Sequence, residues 1–148
     1  ISVWFTKQFP AEKWIELIDK IDKKIYLIGG NEDFEKCENI IKNCQHNNVM
    51  NLCGKLSLLQ SAALIKNAEM NYVNDSAPMH LASAMDASTT TIFCSTIPDF
   101  GFGPLASNSK VVETKEKLNC RPCGLHGFKK CPEKHFKCAN NILIQDII

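Results

Sequence analysis

Hydrophobic residues follow two different periods along this chain. Four apolar residues after Pro10 recur at the spacing of one helix face, namely Trp14, Leu17, Ile18 and Ile21. Residues 25–28 instead form an unbroken apolar run that ends at Gly29, as expected for a strand covered on both faces. Further strands are predicted at residues 2–5, 49–52, 70–73 and 89–93, with helices between them. This alternation predicts an α/β fold with a Rossmann-like parallel sheet and helices on both faces.

Finer details of the pattern make further predictions. Ser57 and Gln60 form a capping box that opens a helix expected to bury Leu58, Leu59, Ala62 and Ile65. A second helical stripe comprises Phe34, Cys37, Ile41 and Cys44. Residues 110–113 are predicted to form an edge strand, and residues 142–146 to enter a final helix.

Length and charge narrow the class of protein. The chain has 148 residues, 45% of them hydrophobic, which predicts one domain with its own core. Its 17 basic and 16 acidic side chains leave a net charge near +1, so we expect no nucleic-acid partner. No apolar run is long enough for a bilayer and no signal peptide is evident, so we expect a soluble piece. Because it runs from Ile1, not Met, to Ile148, we expect it to be part of a longer protein.

The segment Asn74-Asp75-Ser76-Ala77-Pro78-Met79-His80 carries the most chemistry. It places a carboxylate, a hydroxyl and an imidazole between the carboxyl end of a predicted strand and the first turn of a helix. Ligands of open α/β sheets bind at that edge, and helix N-termini suit phosphates. The alternative interpretation is that Asp75 or Ser76 only caps the helix.

The eight cysteines fall into two groups. Cys37, Cys44, Cys53 and Cys94 occupy positions where a free thiol acts as a small hydrophobic residue. The other four lie in a Cys-rich loop, residues 119–138, as Cys120, Cys123, Cys131 and Cys138. A short C-x2-C turn can direct two thiolates at one zinc ion, so these residues are candidate ligands of structural zinc or of an iron-sulfur cluster. The alternative is that reduced thiols pack the loop.

Five segments in order carry a family resemblance: Lys7-Gln8-Phe9-Pro10, Gly29-Gly30-Asn31-Glu32-Asp33, Gly54-Lys55-Leu56-Ser57, residues 74–80 and Cys120-Arg121-Pro122-Cys123. Together they resemble the C-terminal half of the ADP-heptose:lipopolysaccharide heptosyltransferases, glycosyltransferase family 9. The resemblance implies that residues 1–148 are the nucleotide-sugar-binding half of a two-domain GT-B enzyme. It also implies inverting transfer of heptose from ADP-heptose to the lipopolysaccharide core, without a required cofactor. The implied location is cytoplasmic, at the inner-membrane face, with peripheral membrane association.

The same resemblance assigns roles to particular residues. Lys7 matches a basic position near the diphosphate, although a lone lysine is more often a solvated surface residue. Asp33, with Glu32 as the alternative register, matches an acidic position that binds ribose hydroxyls, and its alternative role is helix capping. Leu56 matches a position that packs on the base, and core packing explains it equally well.

Residues 75–80 match the family's diphosphate and sugar segment. Ser76 and the backbone N–H groups that follow it are implied phosphate donors, in the stretch that contains Ala77 and Pro78. His80 is implied to contact phosphate or sugar, and its alternative is a satisfied buried histidine. Asp75 is expected to accept from sugar hydroxyls or to orient neighbouring donors.

Three positions depart from the family pattern. Ala77 and Cys94 stand where the family usually has glycine, and another glycine is common near Asp86. Glycine permits close approach of backbone to phosphate, so these departures support an alternative function, a diverged non-catalytic nucleotide-binding or nucleotide-sugar-binding module. The family's general base belongs to the N-terminal domain, which also binds the acceptor. We therefore expect no catalytic residue in this chain and no transferase activity from it alone.

Overall fold

Strands and helices alternate along the computed structural model, which describes residues 2–148. The five strands are β1 (Ile25–Leu27), β2 (Val49–Asn51), β3 (Asn71–Asn74), β4 (Thr89–Phe93) and β5 (Ser109–Glu113). The helices are α1 (Ala11–Ile18), α2 (Phe34–Asn43), α3 (Leu58–Asn67), α4 (Ala77–Ala84) and the short α5 (Lys137–Asn140). The predicted alternation of strand and helix is confirmed from Pro10 to Phe93.

All strand pairs in the described chain are parallel, but they form two sheets where the pattern predicts one. The first sheet pairs β1 with β2, and the second has the order β3-β4-β5. β5 lies at an edge, as predicted for residues 110–113. All five residues of β4 are buried, because strands cover both of its edges and its side chains, such as Ile92 and Phe93, pack into two different apolar clusters.

Helices cover both sides of these sheets, so the doubly wound architecture is confirmed. Leu17 of α1 packs in a large apolar cluster with Ile92 of β4, Val112 of β5 and the C-terminal residues Ile142 and Ile144. A separate cluster joins α3 and α4 through Ile65, Ala82 and Ala87.

The predicted start of α3 is correct, but the buried faces predicted for α2 and α3 are only partly correct. Ser57 Oγ accepts from the Gln60 N–H, and Gln60 Oε1 accepts from the Ser57 N–H, so the capping box forms. Ala62 and Ile65 are buried as predicted, whereas Leu58 and Leu59 are 72% and 81% exposed. Both leucines lie in the first turn of α3 and do not belong to the apolar cluster that contains Ile65.

The predicted stripe along α2 is correct at Cys37 but differs toward the end of the helix. Cys37 is buried as expected, but Ile40 takes the buried position predicted for Ile41. Ile41 and Cys44 are half-buried.

The two ends of the chain differ from their predictions. Residues 2–5 form no strand, and a 3-10 turn, Phe5–Lys7, takes their place. The Thr6 N–H donates to the Phe128 carbonyl at 3.1 Å, so this backbone bonds to the Cys-rich loop and not to a neighbouring strand. At the other end, the predicted helix is a single 3-10 turn, Ile144–Asp146. No helix between residues 2 and 148 is both long enough and apolar enough to span a bilayer.

Candidate functional site

The candidate site lies at the carboxyl ends of β3 and β4. Asp75 follows β3 directly and is buried. Its Oδ2 atom lies 2.8 Å from the ammonium of Lys7 and accepts from the Thr96 hydroxyl at 2.5 Å. A cation, a carboxylate and a hydroxyl from three separate segments therefore meet at one point of the sheet edge.

Lys7 is held there by its neighbours on both sides. The Phe9 N–H donates to Asn74 Oδ1 at 3.0 Å, which fixes the chain against the end of β3. Thr6 Oγ1 accepts from the Phe128 N–H at 2.7 Å and from the Ser95 hydroxyl at 3.0 Å. The Lys7 side chain is only 16% exposed, so its interpretation as a solvated surface lysine is wrong.

The start of α4 borders this ion pair. Ser76 is the N-cap residue, yet its side chain makes no capping bond, and its hydroxyl donates to the Asn74 carbonyl at 3.3 Å. Asp75 is bonded to Lys7 and Thr96, so neither side chain has the capping role of the alternative interpretation. Ala77 begins the helix and is exposed, and Pro78 occupies its first turn.

His80 is the fourth residue of α4. Its side chain is exposed, so the interpretation as a buried structural histidine is wrong. Ala77 and His80 thus present a backbone N–H and an imidazole at the exposed start of α4, and the half-buried Ser76 hydroxyl joins them once it turns away from the Asn74 carbonyl. That set can donate hydrogen bonds to an anionic ligand.

The two acidic residues of the second matched segment have different surroundings. Asp33 is 4% exposed, and its Oδ2 accepts from the Gly30 N–H at 3.1 Å, so it does have the capping role that the sequence left open. Glu32 is exposed. Glu32 is therefore the carboxylate of the pair that an external ligand can reach.

Leu56 lies on the loop between β2 and α3 and is half-buried. It is followed by the exposed Leu58 and Leu59 in the first turn of α3. Leu56, the predicted base-binding residue, therefore lies next to exposed apolar surface on the same segment of the chain. The ammonium of Lys55 is occupied nearby, since it donates to the Asn51 carbonyl at 2.9 Å.

The Cys-rich loop is attached to the end of β4 through Arg121. The Arg121 guanidinium donates to the carbonyls of Cys94 at 2.8 Å and Thr96 at 2.7 Å. It also pairs with Glu113 Oε2 of β5 at 2.7 Å. Arg121 thereby fixes the backbone that presents Thr96 to Asp75.

Gly127 brings the same loop close to Lys7. It has φ of +77°, and a Cβ there would lie 2.7 Å from Thr6 Oγ1 and 3.2 Å from Lys7 Cγ. Both the left-handed backbone and the close approach require glycine. The loop therefore forms one wall around the lysine of the site.

The thiols of the loop are divided between buried and half-buried positions. Burial raises the pKa of the Cys138 thiol to about 11, and burial also raises the pKa of Cys123. Cys120 and Cys131 are half-buried, and Cys120 Sγ lies 3.9 Å from His135 Nε2. Among residues 2–148, no group of three or more His, Cys, Asp or Glu side chains is arranged to hold a metal ion. The zinc or iron-sulfur role and its alternative, reduced thiols that pack the loop, both stay predictions.

The three departures from the family pattern have different consequences. Asp86 has φ of +49°, so it adopts a left-handed conformation that glycine usually supplies. Its carboxylate accepts from the Ser107 N–H at 2.7 Å. Cys94 is fully buried in the core and directs no atom at solvent. Ala77 is the departure that adds a side chain at the exposed start of α4.

Sequence reasoning missed Thr96, Arg121 and Gly127. Thr96 had a usable signal, because it follows the buried strand β4 at the same sheet edge as Asp75. Arg121 and Gly127 lie inside the Cys-rich loop, where only the cysteines suggested a role from the sequence. Their partners are distant in sequence, so no local pattern indicates their roles.

A scan against family models matches residues 2–136 to "Glycosyltransferase family 9 (heptosyltransferase)". Two curated relatives are lipooligosaccharide heptosyltransferase 2 of Campylobacter jejuni subsp. jejuni, serotypes O:2 and O:6. They are 31% identical over 80% of this chain and 30% identical over 84% of it. The chain spans 36% and 39% of their lengths.

Solved structures agree at the level of the fold. A family 9 glycosyl transferase from Veillonella parvula superposes with a TM-score of 0.79 at 22% identity, covering 99% of this chain and 41% of that one. The ADP-heptose lps heptosyltransferase II of E. coli gives 0.71 at 22% identity, covering 97% and 44%. The E. coli heptosyltransferase WaaC with ADP gives 0.67 at 24% identity, covering 75% and 35%.

Proposed function

Because the chain belongs to glycosyltransferase family 9, the heptosyltransferases, we propose that it is the nucleotide-sugar-binding domain of an enzyme that adds heptose to the lipopolysaccharide core. The observation that carries this proposal is the buried Lys7–Asp75 pair, with Thr96, at the carboxyl ends of β3 and β4. That edge is where open α/β sheets bind ligands. The donor proposed is ADP-heptose, which accords with the ADP in the E. coli WaaC structure.

Lys7 binds the diphosphate of the donor in this proposal. As the bond between sugar and diphosphate breaks, negative charge grows on the departing ADP, and a nearby ammonium offsets it. Asp75, which accepts from the Thr96 hydroxyl, holds that ammonium in place. Asp75 thus acts by orienting a donor, since a carboxylate in direct contact with phosphate would repel it.

The start of α4 completes the anion site. The Ser76 hydroxyl and the Ala77 N–H bind phosphate oxygens, and His80 reaches phosphate or sugar from the solvent side. Pro78 lacks an N–H and serves to start the helix. Glu32 is the acidic residue that accepts from the ribose, because Asp33 already binds the Gly30 N–H. Leu56 packs on the base.

Transfer itself requires the rest of the enzyme. In an inverting reaction, a general base removes the proton of the acceptor hydroxyl, and the oxygen attacks the anomeric carbon as the bond to ADP breaks. We assign that base and the acceptor site to the N-terminal domain, so the isolated chain binds donor without transferring it. The full enzyme acts at the cytoplasmic face of the inner membrane, through peripheral association.

Calorimetric titration with ADP, UDP and GDP tests the proposal. Saturable binding of ADP, weakened at least about tenfold in Lys7→Ala and measurably in His80→Ala, is the expected result. Lys20→Ala is the matched control, because Lys20 is an exposed lysine on the turn after α1, and it should leave binding unchanged. Equal affinity of the Lys7→Ala variant for ADP would refute the assigned site.

The second candidate function is a diverged binding module without transferase activity. Ala77 favours it, because its exposed methyl group lies where backbone would otherwise approach phosphate closely. A transfer assay on the full-length protein separates the two functions. Heptose transfer supports the enzyme, whereas ADP binding without transfer by the intact protein supports the module. Ala77→Gly should then tighten ADP binding.

A further inference from the structure

We propose that Cys37 and Cys53 are a site of oxidation, at which peroxide forms a reversible disulfide beside the loop that carries Leu56. Cys37 lies on α2, and Cys53 follows β2 at the start of the loop that leads to α3. Their Sγ atoms are 3.3 Å apart and hydrogen-bonded to each other. The disulfide stands on this geometry alone, whereas its effect on nucleotide binding rests on the proposed function.

The remaining distance between the two sulfurs is short. A disulfide bond is about 2.0 Å long, so its closure requires an approach of about 1.3 Å. The Cys53 backbone is fixed nearby, because its N–H donates to Asn51 Oδ1 at 3.0 Å. Asn51 Nδ2 donates to the Phe34 carbonyl at 3.1 Å and so attaches the end of β2 to the start of α2. A small movement of one loop against one helix therefore brings the sulfurs together.

Burial of the pair selects the oxidant. Cys37 is 6% exposed and Cys53 is 1% exposed, so a bulky disulfide reagent cannot reach either sulfur. Hydrogen peroxide is close to water in size and needs only a narrow path. Burial also raises the pKa of both thiols, to about 12 for Cys37. Because the thiolate is the nucleophile, the reaction is slow at neutral pH and quickens as pH rises.

The hydrogen bond between the thiols sets the order of the steps. It raises the pKa of Cys37 further but lowers that of Cys53, so Cys53 loses its proton first. The Cys53 thiolate attacks one oxygen of the peroxide, the O–O bond breaks, and a sulfenic acid and hydroxide form. Cys37 then attacks the Cys53 sulfur, and its proton leaves with the sulfenic oxygen as water. Hydroxide takes the proton of Cys53, so the thiols lose two electrons and peroxide becomes two water molecules.

Closure of the disulfide displaces the loop that carries Leu56. The approach draws Cys53 toward the buried face of α2. Gly54 follows directly, and its N–H donates to the Gly29 carbonyl at 3.0 Å. The loop is thus bonded to the segment that carries Glu32, and an inward shift moves the proposed contacts of both base and ribose. We therefore expect the oxidised protein to bind ADP more weakly than the reduced protein.

Peptide mapping tests the disulfide. The protein carries Cys44→Ser, because Cys44 and Cys53 lie on one tryptic peptide, residues 43–55. Native protein is treated with hydrogen peroxide, its remaining thiols are alkylated in urea, and its tryptic peptides are analysed by mass spectrometry. We expect residues 37–42 to be joined to residues 43–55, and dithiothreitol to separate them. The link should form about ten times faster at pH 8 than at pH 7.

Urea denaturation and calorimetry measure the consequences. Oxidation should raise the urea midpoint by about 1 M, because the disulfide restricts the unfolded chain. It should weaken ADP binding at least about threefold. The matched control adds Cys53→Ala to Cys44→Ser and keeps the four thiols of the Cys-rich loop. Peroxide acts on those thiols in both proteins, so the difference between the two proteins belongs to the pair. Cys37→Ala replaces Cys53→Ala if that variant does not fold.

Several results would overturn the proposal. Oxidation of the half-buried Cys120 and Cys131 without the linked peptide would do so, and so would a link that forms only in urea. Equal midpoint shifts in the protein and its control would also contradict the disulfide. Equal ADP affinity of the reduced and oxidised forms would refute its effect on the loop. If the reduced protein binds no ADP, the proposed function fails, while the linked peptide and the urea midpoint still decide the disulfide.

Discussion

The Lys7–Asp75 pair gives the sharpest test of how the candidate site is built. Lys7→Met keeps most of the aliphatic side chain but removes the ammonium that lies 2.8 Å from Asp75 Oδ2. The Asp75 side chain is 7% exposed, so its charge cannot recover full hydration. Removing one partner of a buried ion pair costs about 3–5 kcal/mol. The remaining bond from Thr96 favours the lower end, so we expect a loss of about 3 kcal/mol in the free energy of unfolding.

Urea denaturation measures this loss directly. With a slope near 2 kcal/mol/M, the midpoint should fall by about 1.5 M. Lys7→Met combined with Asp75→Asn removes both charges and should recover at least about half of the loss. The control is Lys23→Met in the Lys23–Glu69 pair, whose side chains are 68% and 78% exposed. Exposed pairs contribute about 0–1 kcal/mol, so that variant should barely change the midpoint.

Additivity would refute the reasoning. If the double variant is as unstable as the sum of Lys7→Met and Asp75→Asn, then the two charges do not stabilise each other in the fold. A loss in Lys7→Met no larger than that in Lys23→Met would mean that Asp75 is well solvated, contrary to its burial.

Three further predictions follow from the loop and the thiols. Gly127→Ala should destabilise the fold by about 2 kcal/mol or more, and Gly101→Ala by only about 1 kcal/mol. Both glycines have positive φ but only a Cβ at Gly127 would meet a close neighbour, so equal urea midpoints would contradict the steric argument. Burial raises the pKa of Cys37 from 9.0 to about 12. The neutral thiol therefore stabilises the fold fully below pH 9, and that contribution is lost as pH rises toward the folded pKa. By about pH 10 the free energy of unfolding should have fallen by about 1.4 kcal/mol through this group. Urea denaturation at several pH values should show a smaller fall for Cys37→Ala. In native protein, an aromatic disulfide reagent should react fast with the half-buried thiols alone. If the thiols of the Cys-rich loop bind no metal, added zinc should leave the number of fast-reacting thiols unchanged. The fast thiols are Cys44, Cys120 and Cys131.

Local pattern predicted the elements well because each element is fixed by its own periodicity. The capping box at Ser57 and the all-buried strand Thr89–Phe93 both appear where the pattern places them. The errors occur where burial depends on distant parts of the chain. Leu58 has helical spacing to Ala62 yet is 72% exposed, because nothing packs over the first turn of α3.

The sequence predicted some residues of the candidate site but not the contacts between them. The position of Asp75 after a buried strand indicated the sheet edge, and the resemblance supplied Lys7. The contact between them depends on tertiary structure, as does the choice between Asp33 and Glu32. Asp33 binds the Gly30 N–H, and only its burial shows that Glu32 is the more accessible carboxylate. Thr96 and Arg121 were missed for the same reason.

The bonds between Thr6 and Phe128 have a consequence for the order of folding. They join residues 122 positions apart in the sequence. Contacts of such separation form late, because closing a long loop loses chain entropy before the contact can compensate. The turn that carries Lys7 can therefore reach its final position only after β3, β4 and the Cys-rich loop are in place. Nucleotide binding at this site would then be a property of fully folded molecules alone, and bound ligand would report the completion of folding.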